Sequence, residues 1–124
     1  MLRLLLLVCA AGALGSGTRF LTTLACERIL GASFPWGTLT VNLAGSFLIS
    51  FVAMLAVTSS AISEPTRITI STGFLGGLTT YSSFNYDTVR FVESRAYGVA
   101  AAYVLVTLIG CLAAGFLGMA VGRR

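Results

Sequence analysis

The chain has 124 residues, 56% of them hydrophobic and 10% charged, with a mean hydropathy of +0.93 and a formal net charge of +4. A soluble domain carries roughly 25% charged residues, so this is the composition of an integral membrane protein, and its apolar stretches leave no room for a soluble domain. The eight basic residues, all arginine, lie mostly between those stretches and form no clustered basic face of the kind nucleic acid requires. There is no histidine, and Glu27, Glu64, Asp87 and Glu93 fall near predicted helix ends, so general acid–base catalysis and a carboxylate-rich metal site both lack parts and the chain does not read as an enzyme.

Four stretches, about residues 4–24, 39–57, 68–91 and 97–121, each approach the ~20 residues needed to cross a ~30 Å hydrocarbon core. The first follows Met1-Leu-Arg3 and resembles a signal peptide, but the Gly/Ala/Ser run up to Arg19 suits close helix packing, so a first membrane helix is expected. Arg19 is the one charge well inside an apolar span. Such a residue is either functional or snorkels to the interface, and in both cases sets a positive charge near one mouth, which favours anions.

The gap at about 25–36 ends in Phe34-Pro35-Trp36-Gly37, whose Pro can start a helix and whose aromatic rings suit the interface, so helix two is expected near Gly37. Within it Thr38, Asn42, Ser46 and Ser50 recur at a spacing of four and form a polar stripe that must face protein or water. A helix-packing seam explains the serines as well as a functional role does. Asn42 is costlier to bury and reads as a functional amide.

A second gap, 58–67, is rich in Ser and Thr and carries Glu64-Pro65, a helix start. The third stretch then contains Gly73-Phe-Leu-Gly76-Gly77-Leu-Thr79-Thr80-Tyr81-Ser-Ser83-Phe84, which no uninterrupted lipid-facing helix needs. Non-helical backbone at membrane depth is tolerated only where it is buried in protein or lines an aqueous path. The segment therefore reads as a helix break, in which glycines free carbonyls able to ligate a hard cation such as sodium; close packing of glycines is the plainer alternative. Tyr81 and Phe84 are three apart, and positive ring edges with Asn, Ser and Thr donors can replace part of a small anion's hydration.

After a short gap at 92–96, which makes helices three and four neighbours, the last stretch carries Tyr103, Thr107 and Cys111 at a spacing of four. Its Gly110-x-x-x-Ala114 and Gly115-x-x-Gly118 runs supply surfaces for close approach, and Thr107 can satisfy itself on its own helix. Cys9, Cys26 and Cys111 show neither zinc nor redox spacing and read as inert packing residues.

With four spans, Arg3, Arg67, Arg123 and Arg124 lie on one side, and Arg28, Arg90 and Arg95 on the other, joined there by Arg19 if it is counted. Positive charge in short loops sets orientation, so a balance this close to even allows insertion both ways and an antiparallel pair about a two-fold axis in the membrane plane. Four spans enclose little space, and oligomerisation is the default expectation.

The runs Gly37-Thr-Leu-Thr-Val-Asn42-Leu-Ala-Gly45-Ser and Gly73 to Phe84, with Arg19 in helix one, make the whole chain resemble the CrcB/Fluc family of bacterial fluoride channels. That resemblance implies an all-α integral membrane fold of four transmembrane helices, the third broken near Gly76–Thr80, in one membrane domain (1–124). It implies an antiparallel dual-topology homodimer in the bacterial inner membrane with two pores passing fluoride passively, which lowers cytoplasmic fluoride. It further implies a central structural Na+ held by backbone carbonyls of Gly76 and Thr79 from both subunits. The pore residues would be Asn42, Tyr81, Ser83, Phe84 and Thr107, with Arg19 in the vestibule. Two positions depart from the family's usual pattern: Tyr81 stands for Phe, and Cys111 for Ser. A small multidrug-type exporter also has four spans, but couples protons through a glutamate in helix one, where this chain has Arg19 and no acid. A non-transporting assembly subunit, its polar stripes mere packing seams, is the third reading.

Overall fold

The computed structural model describes residues 1–59 and 62–124, and the described residues are helical almost throughout, with no strand among them. In chain order the elements are α1 (Leu2–Leu30), α2 (Trp36–Thr58), α3 (Glu64–Ile68), a π-helical stretch (Thr69–Leu75), α4 (Gly76–Leu78), α5 (Tyr81–Glu93) and α6 (Tyr97–Gly122). Among the described residues, three helices are long and apolar enough to cross a membrane: α1, α2 and α6. The third stretch, expected to be broken near Gly76–Thr80, is an interrupted run from Glu64 to Glu93, with α4 ending at Leu78 and α5 starting at Tyr81.

α1 continues to Leu30, past the apolar limit at about residue 24, and ends at Gly31 in the left-handed region (φ 85°), with the Gly31 N–H on the Glu27 carbonyl. The change from apolar to polar residues marks a membrane surface. It does not stop a helix, and no helix breaker precedes Gly31. α2 starts at Trp36, one residue before Gly37, right after Pro35. In the second gap the Ser63 hydroxyl accepts from the Thr66 N–H and Pro65 sits in the first turn of α3, as capping chemistry demands. α5 and α6 are joined through Ser94–Ala96, where Arg95 takes a positive φ of 60° and the Ala96 N–H closes on the Phe91 carbonyl.

Glycine decides how close the helices come. On α1, a Cβ at Gly15 would collide with the Phe74 carbonyl oxygen, and on the broken run one at Gly77 would collide with the Gly12 carbonyl oxygen. A Cβ at Gly73 would come within 2.9 Å of the Val8 carbonyl oxygen. The broken run therefore lies backbone against backbone on α1, as small-residue helix interfaces do in membranes. The α2–α6 pair is built alike: a Cβ at Gly118 would meet the Phe47 carbonyl oxygen, and one at Gly122 the Phe51 carbonyl oxygen at 2.9 Å.

The buried apolar residues are few. Val41, Leu75 and Leu78 form one cluster between α2 and the broken run, and Leu39, Phe84 and Tyr103 form another between α2, α5 and α6. Much larger is the apolar surface left outside, with Leu14, Leu21, Ile109, Leu112 and Phe116 each more than 60% exposed. Patches of that extent mark contact with lipid or with another chain.

Candidate functional site

Where α2, α6 and the broken run meet, they frame an open groove of about 630 Å³. From α2 come Asn42, Ser46 and Ser50; from the break Gly76, Thr79 and Thr80; from α5 Tyr81 and Phe84; and from α6 Thr107 and Cys111. The polar stripe of α2, the break and the Thr107–Cys111 face thus converge on one surface. Its described lining residues include no Asp, Glu, Lys or Arg.

The break itself does not fall on the glycines. Gly76 is helical (φ −63°, ψ −36°), and the extended residues are Thr79 (φ −83°, ψ 155°) and Thr80 (φ −153°, ψ 113°). Gly73 and Gly77 serve the seam with α1, the plainer of the two readings their presence allows. At the break, side chains take over some of the backbone groups that leave the helical ladder. The Thr80 N–H donates to Asn42 Oδ1 at 2.8 Å, and Asn42 Nδ2 donates to the Thr80 carbonyl at 3.0 Å. Both partners are buried, Asn42 at 9% exposure and Thr80 at 7%. Asn42, which has no partner in its own helix, thereby satisfies the irregular peptide group as burial at membrane depth requires.

The Thr80 side chain continues the pattern. Its Oγ1 caps α5 by accepting the Ser83 N–H at 3.2 Å and lies 3.1 Å from Ser83 Oγ and 3.2 Å from Ser82 Oγ. Thr79 turns its own hydroxyl back on the Leu75 carbonyl at 2.9 Å.

Phe84 is buried against Tyr103, with ring centroids 5.2 Å apart, while Tyr81 is 77% exposed at the groove's rim with its ring 5.8 Å from that of Phe84. Thr107 is buried at 5% exposure, and its Oγ1 has no hydrogen-bond partner. Its hydroxyl is therefore not spent on its own helix. An unsatisfied buried hydroxyl costs about 1–3 kcal/mol, and this oxygen is itself closed off from the groove surface, so the cost stands.

Ser83 and Arg19 stand elsewhere. They line a second open recess, of about 500 Å³, together with Thr38, Thr80, Tyr86 and Asp87. The predicted set thus divides into Asn42, Thr107, Tyr81, Phe84, Gly76 and Thr79 on the groove, and Ser83 with Arg19 on the other recess. Thr80 touches both. Of the cysteines, all free, Cys111 lines the groove as part of the Tyr103 face, whereas Cys9 is exposed on α1 and not a buried packing residue.

Sequence reasoning missed the network around Asp87. Thr38 Oγ1 donates to Asp87 Oδ2 at 3.3 Å, and the fully buried Tyr103 hydroxyl donates to the same oxygen at 3.5 Å. Phe34, Phe84 and Phe91 surround the Tyr103 ring, with centroids 5.2 to 6.4 Å apart within the cluster. A signal was available, because Phe84, Asp87 and Phe91 fall on one face of α5 at helical spacing.

Three helices apolar and long enough to span, around an uncharged groove beside a helix break, define a multi-pass membrane protein. The family comparisons agree: residues 6–119 match the family model described as CrcB-like protein, Camphor Resistance (CrcB). A protein of Anaeromyxobacter dehalogenans is 50% identical over 112 residues, 90% of this chain and 89% of its own length. One of Sorangium cellulosum is 44% identical over 91% of this chain and 89% of its own length, and one of Agrobacterium fabrum is 44% identical over 95% and 94%. All three relatives carry the name fluoride-specific ion channel FluC. The chain belongs to the CrcB-like family.

Proposed function

We propose that this chain is a fluoride channel, not an enzyme, and that it passes the ion passively through the groove over Asn42, Phe84 and Thr107. The observation that carries the reading is a groove lined by hydroxyl-bearing residues, one amide and aromatic rings with no charged side chain. Fluoride is small and strongly hydrated, so a path for it must return hydration energy through donors. Ser46 and Ser50 offer O–H groups, with the buried Thr107 hydroxyl behind them, Asn42 retains a second amide proton, and the rings of Phe84 and Tyr81 have positive edges. A carboxylate there would repel the ion, and a fixed cation would trap it. The relatives' shared name supports fluoride as the ion, and it speaks against a multidrug-type exporter.

A second copy in the opposite orientation closes the groove, which one copy leaves open. Exposed Tyr81, Leu112 and Phe116 at its rim and the even division of arginines support an antiparallel homodimer in the bacterial inner membrane, the broken run completing a fourth crossing. At its centre the carbonyls of Gly76 and Thr79 would hold a structural Na+. The fit is good. In a continuing α-helix the Thr80 N–H would close on Gly76 and the Ser83 N–H on Thr79, but Asn42 and Thr80 Oγ1 take those protons. Among the described residues no cluster of three or more His, Cys, Asp or Glu competes for such an ion. Sodium there would neutralise carbonyl dipoles that two inverted copies bring together.

Purified protein in liposomes tests the ion. Fluoride efflux without a proton gradient is expected, and chloride efflux at a comparable rate would contradict the assignment. Two or three lysines added after Arg124 should drive that end to the cytoplasm. This variant should lose flux alone and regain it beside one biased the other way, whereas full activity from a single orientation would rule out the antiparallel pair.

A further inference from the structure

The helix break carries unusual side-chain ties. No proline stands in it, and its glycines are helical. A continuing helix would spend the N–H of residue i on the carbonyl of residue i−4. Several such bonds lapse between α4 and α5, those of the Tyr81 and Ser82 N–H groups among them, and in two a side-chain oxygen sits where the carbonyl should be. Asn42 Oδ1, reaching across from α2, holds the Thr80 N–H at 2.8 Å. Thr80 Oγ1, from within the break, holds the Ser83 N–H at 3.2 Å. The carbonyls that these two N–H groups would have met are those of Gly76 and Thr79. Gly76 is also exposed and Thr79 half-buried on the groove, so their neighbourhood stays open to a partner.

We infer that Asn42 and Thr80 are positioning residues for the cation site: each side-chain oxygen diverts one peptide N–H and so keeps one carbonyl available. Local competition of this kind between Asn or Thr side chains and the helix ladder is familiar at caps and turns. What is particular to this chain is that one diverter lies on a different helix, so that α2 holds the break open. Asn42 then has two separable duties. Its oxygen shapes the break, and its remaining amide proton faces the groove. The inference rests on the sodium reading above for its cation readout, and on hydrogen bonding alone for its second readout.

The design separates oxygen from the rest of each side chain. Asn42→Asp keeps an oxygen for the Thr80 N–H, and Asn42→Ala removes it. Thr80→Ser keeps the capping hydroxyl, and Thr80→Val replaces it with a methyl of equal size. Thermal unfolding of the purified dimer is measured in sodium chloride and in N-methylglucamine chloride. Wild type, Asn42→Asp and Thr80→Ser should each gain stability in sodium, with Asn42→Asp nonetheless losing fluoride flux because it puts a negative charge on the path. Folded Asn42→Ala and Thr80→Val should lose the sodium-dependent shift. A full shift in either of these, or its loss in folded Asn42→Asp or Thr80→Ser, overturns the inference. If one truncated variant does not fold, the other decides.

A wild type indifferent to sodium would contradict the cation reading and leave the diversion to be judged on its own. For that the Gly76 carbonyl carbon resonance is recorded in sodium-free medium. It should move downfield in Asn42→Ala, as the Thr80 N–H returns to it, and hold its position in Asn42→Asp. The Thr79 carbonyl carbon should behave likewise in Thr80→Val and Thr80→Ser. Unchanged resonances in folded Asn42→Ala and Thr80→Val overturn the diversion.

Discussion

The two sides of the broken run are built from one short motif and have opposite characters. Towards α1 it presents Gly73 and Gly77, whose missing side chains let backbone touch backbone with no space left. Towards the groove it presents Thr79 and Thr80, with Asn42 opposite, and there space is the product. Glycine richness and hydroxyl richness in the same segment therefore have separate causes. The glycines dock the run on α1, and the polar side chains hold backbone groups that leave the helical ladder. A flexible glycine hinge would have put both effects on the same residues.

The largest expected effect is on the docked side. Gly77→Ala places a methyl against the Gly12 backbone, which no rotamer change can relieve. Overpacking costs typically ~1–3 kcal/mol and more against rigid backbone, so the yield of folded protein after extraction should collapse. Normal yield and melting temperature for Gly77→Ala would erase the distinction between the two sides.

On the groove side the expectation is loss of transport without loss of fold. Phe84→Ile removes a ring edge while keeping bulk, and Thr107→Val removes the free hydroxyl and so relieves an unsatisfied buried group. Each should lower fluoride efflux by at least ~10-fold, equivalent to ~1.4 kcal/mol in the barrier. Thr107→Val should melt no lower than wild type, because its Oγ1 has no partner to lose. Near-normal flux in both would make these residues packing only.

The smallest effects sharpen the comparison by contrast. A Cβ at Gly17 meets nothing within 4 Å, and one at Gly110 meets only the movable end of Leu43 at 2.8 Å. Gly17→Ala should stay within ~0.5 kcal/mol of wild type, as exposed substitutions do. Gly110→Ala should cost less than Gly77→Ala in the same melting experiment.

The membrane class, the helix starts near Gly37 and Tyr97, and a break close to Thr80 were all legible in the chain, because apolar length, proline and local composition act within a few residues. The tie that holds Thr80 at the break was not. That Asn42 should reach a peptide group 38 positions away is a property of how α2 packs on the run, and no local pattern encodes it. The same holds for Ser83, which shares a motif with Phe84 yet lies on the recess with Arg19, since neighbouring residues on a helix point to different faces. Asp87 was passed over as a charge near a helix end. Its partners Thr38 and Tyr103 belong to two other helices. The limit of α1 was misplaced because polarity reports the membrane surface and not the end of hydrogen bonding.

The account stands most directly on the groove being the ion path, and Cys111 provides a test within the natural sequence. Mercuric chloride is small, neutral and thiol-seeking. Cys111 lines the groove, while Cys9 and Cys26 lie on α1 outside it. Fluoride efflux from proteoliposomes should fall on mercury treatment of the wild type and resist it in Cys111→Ser, although Cys9 and Cys26 remain. Undiminished efflux from protein whose Cys111 is shown by mass spectrometry to carry mercury would contradict a path through the groove.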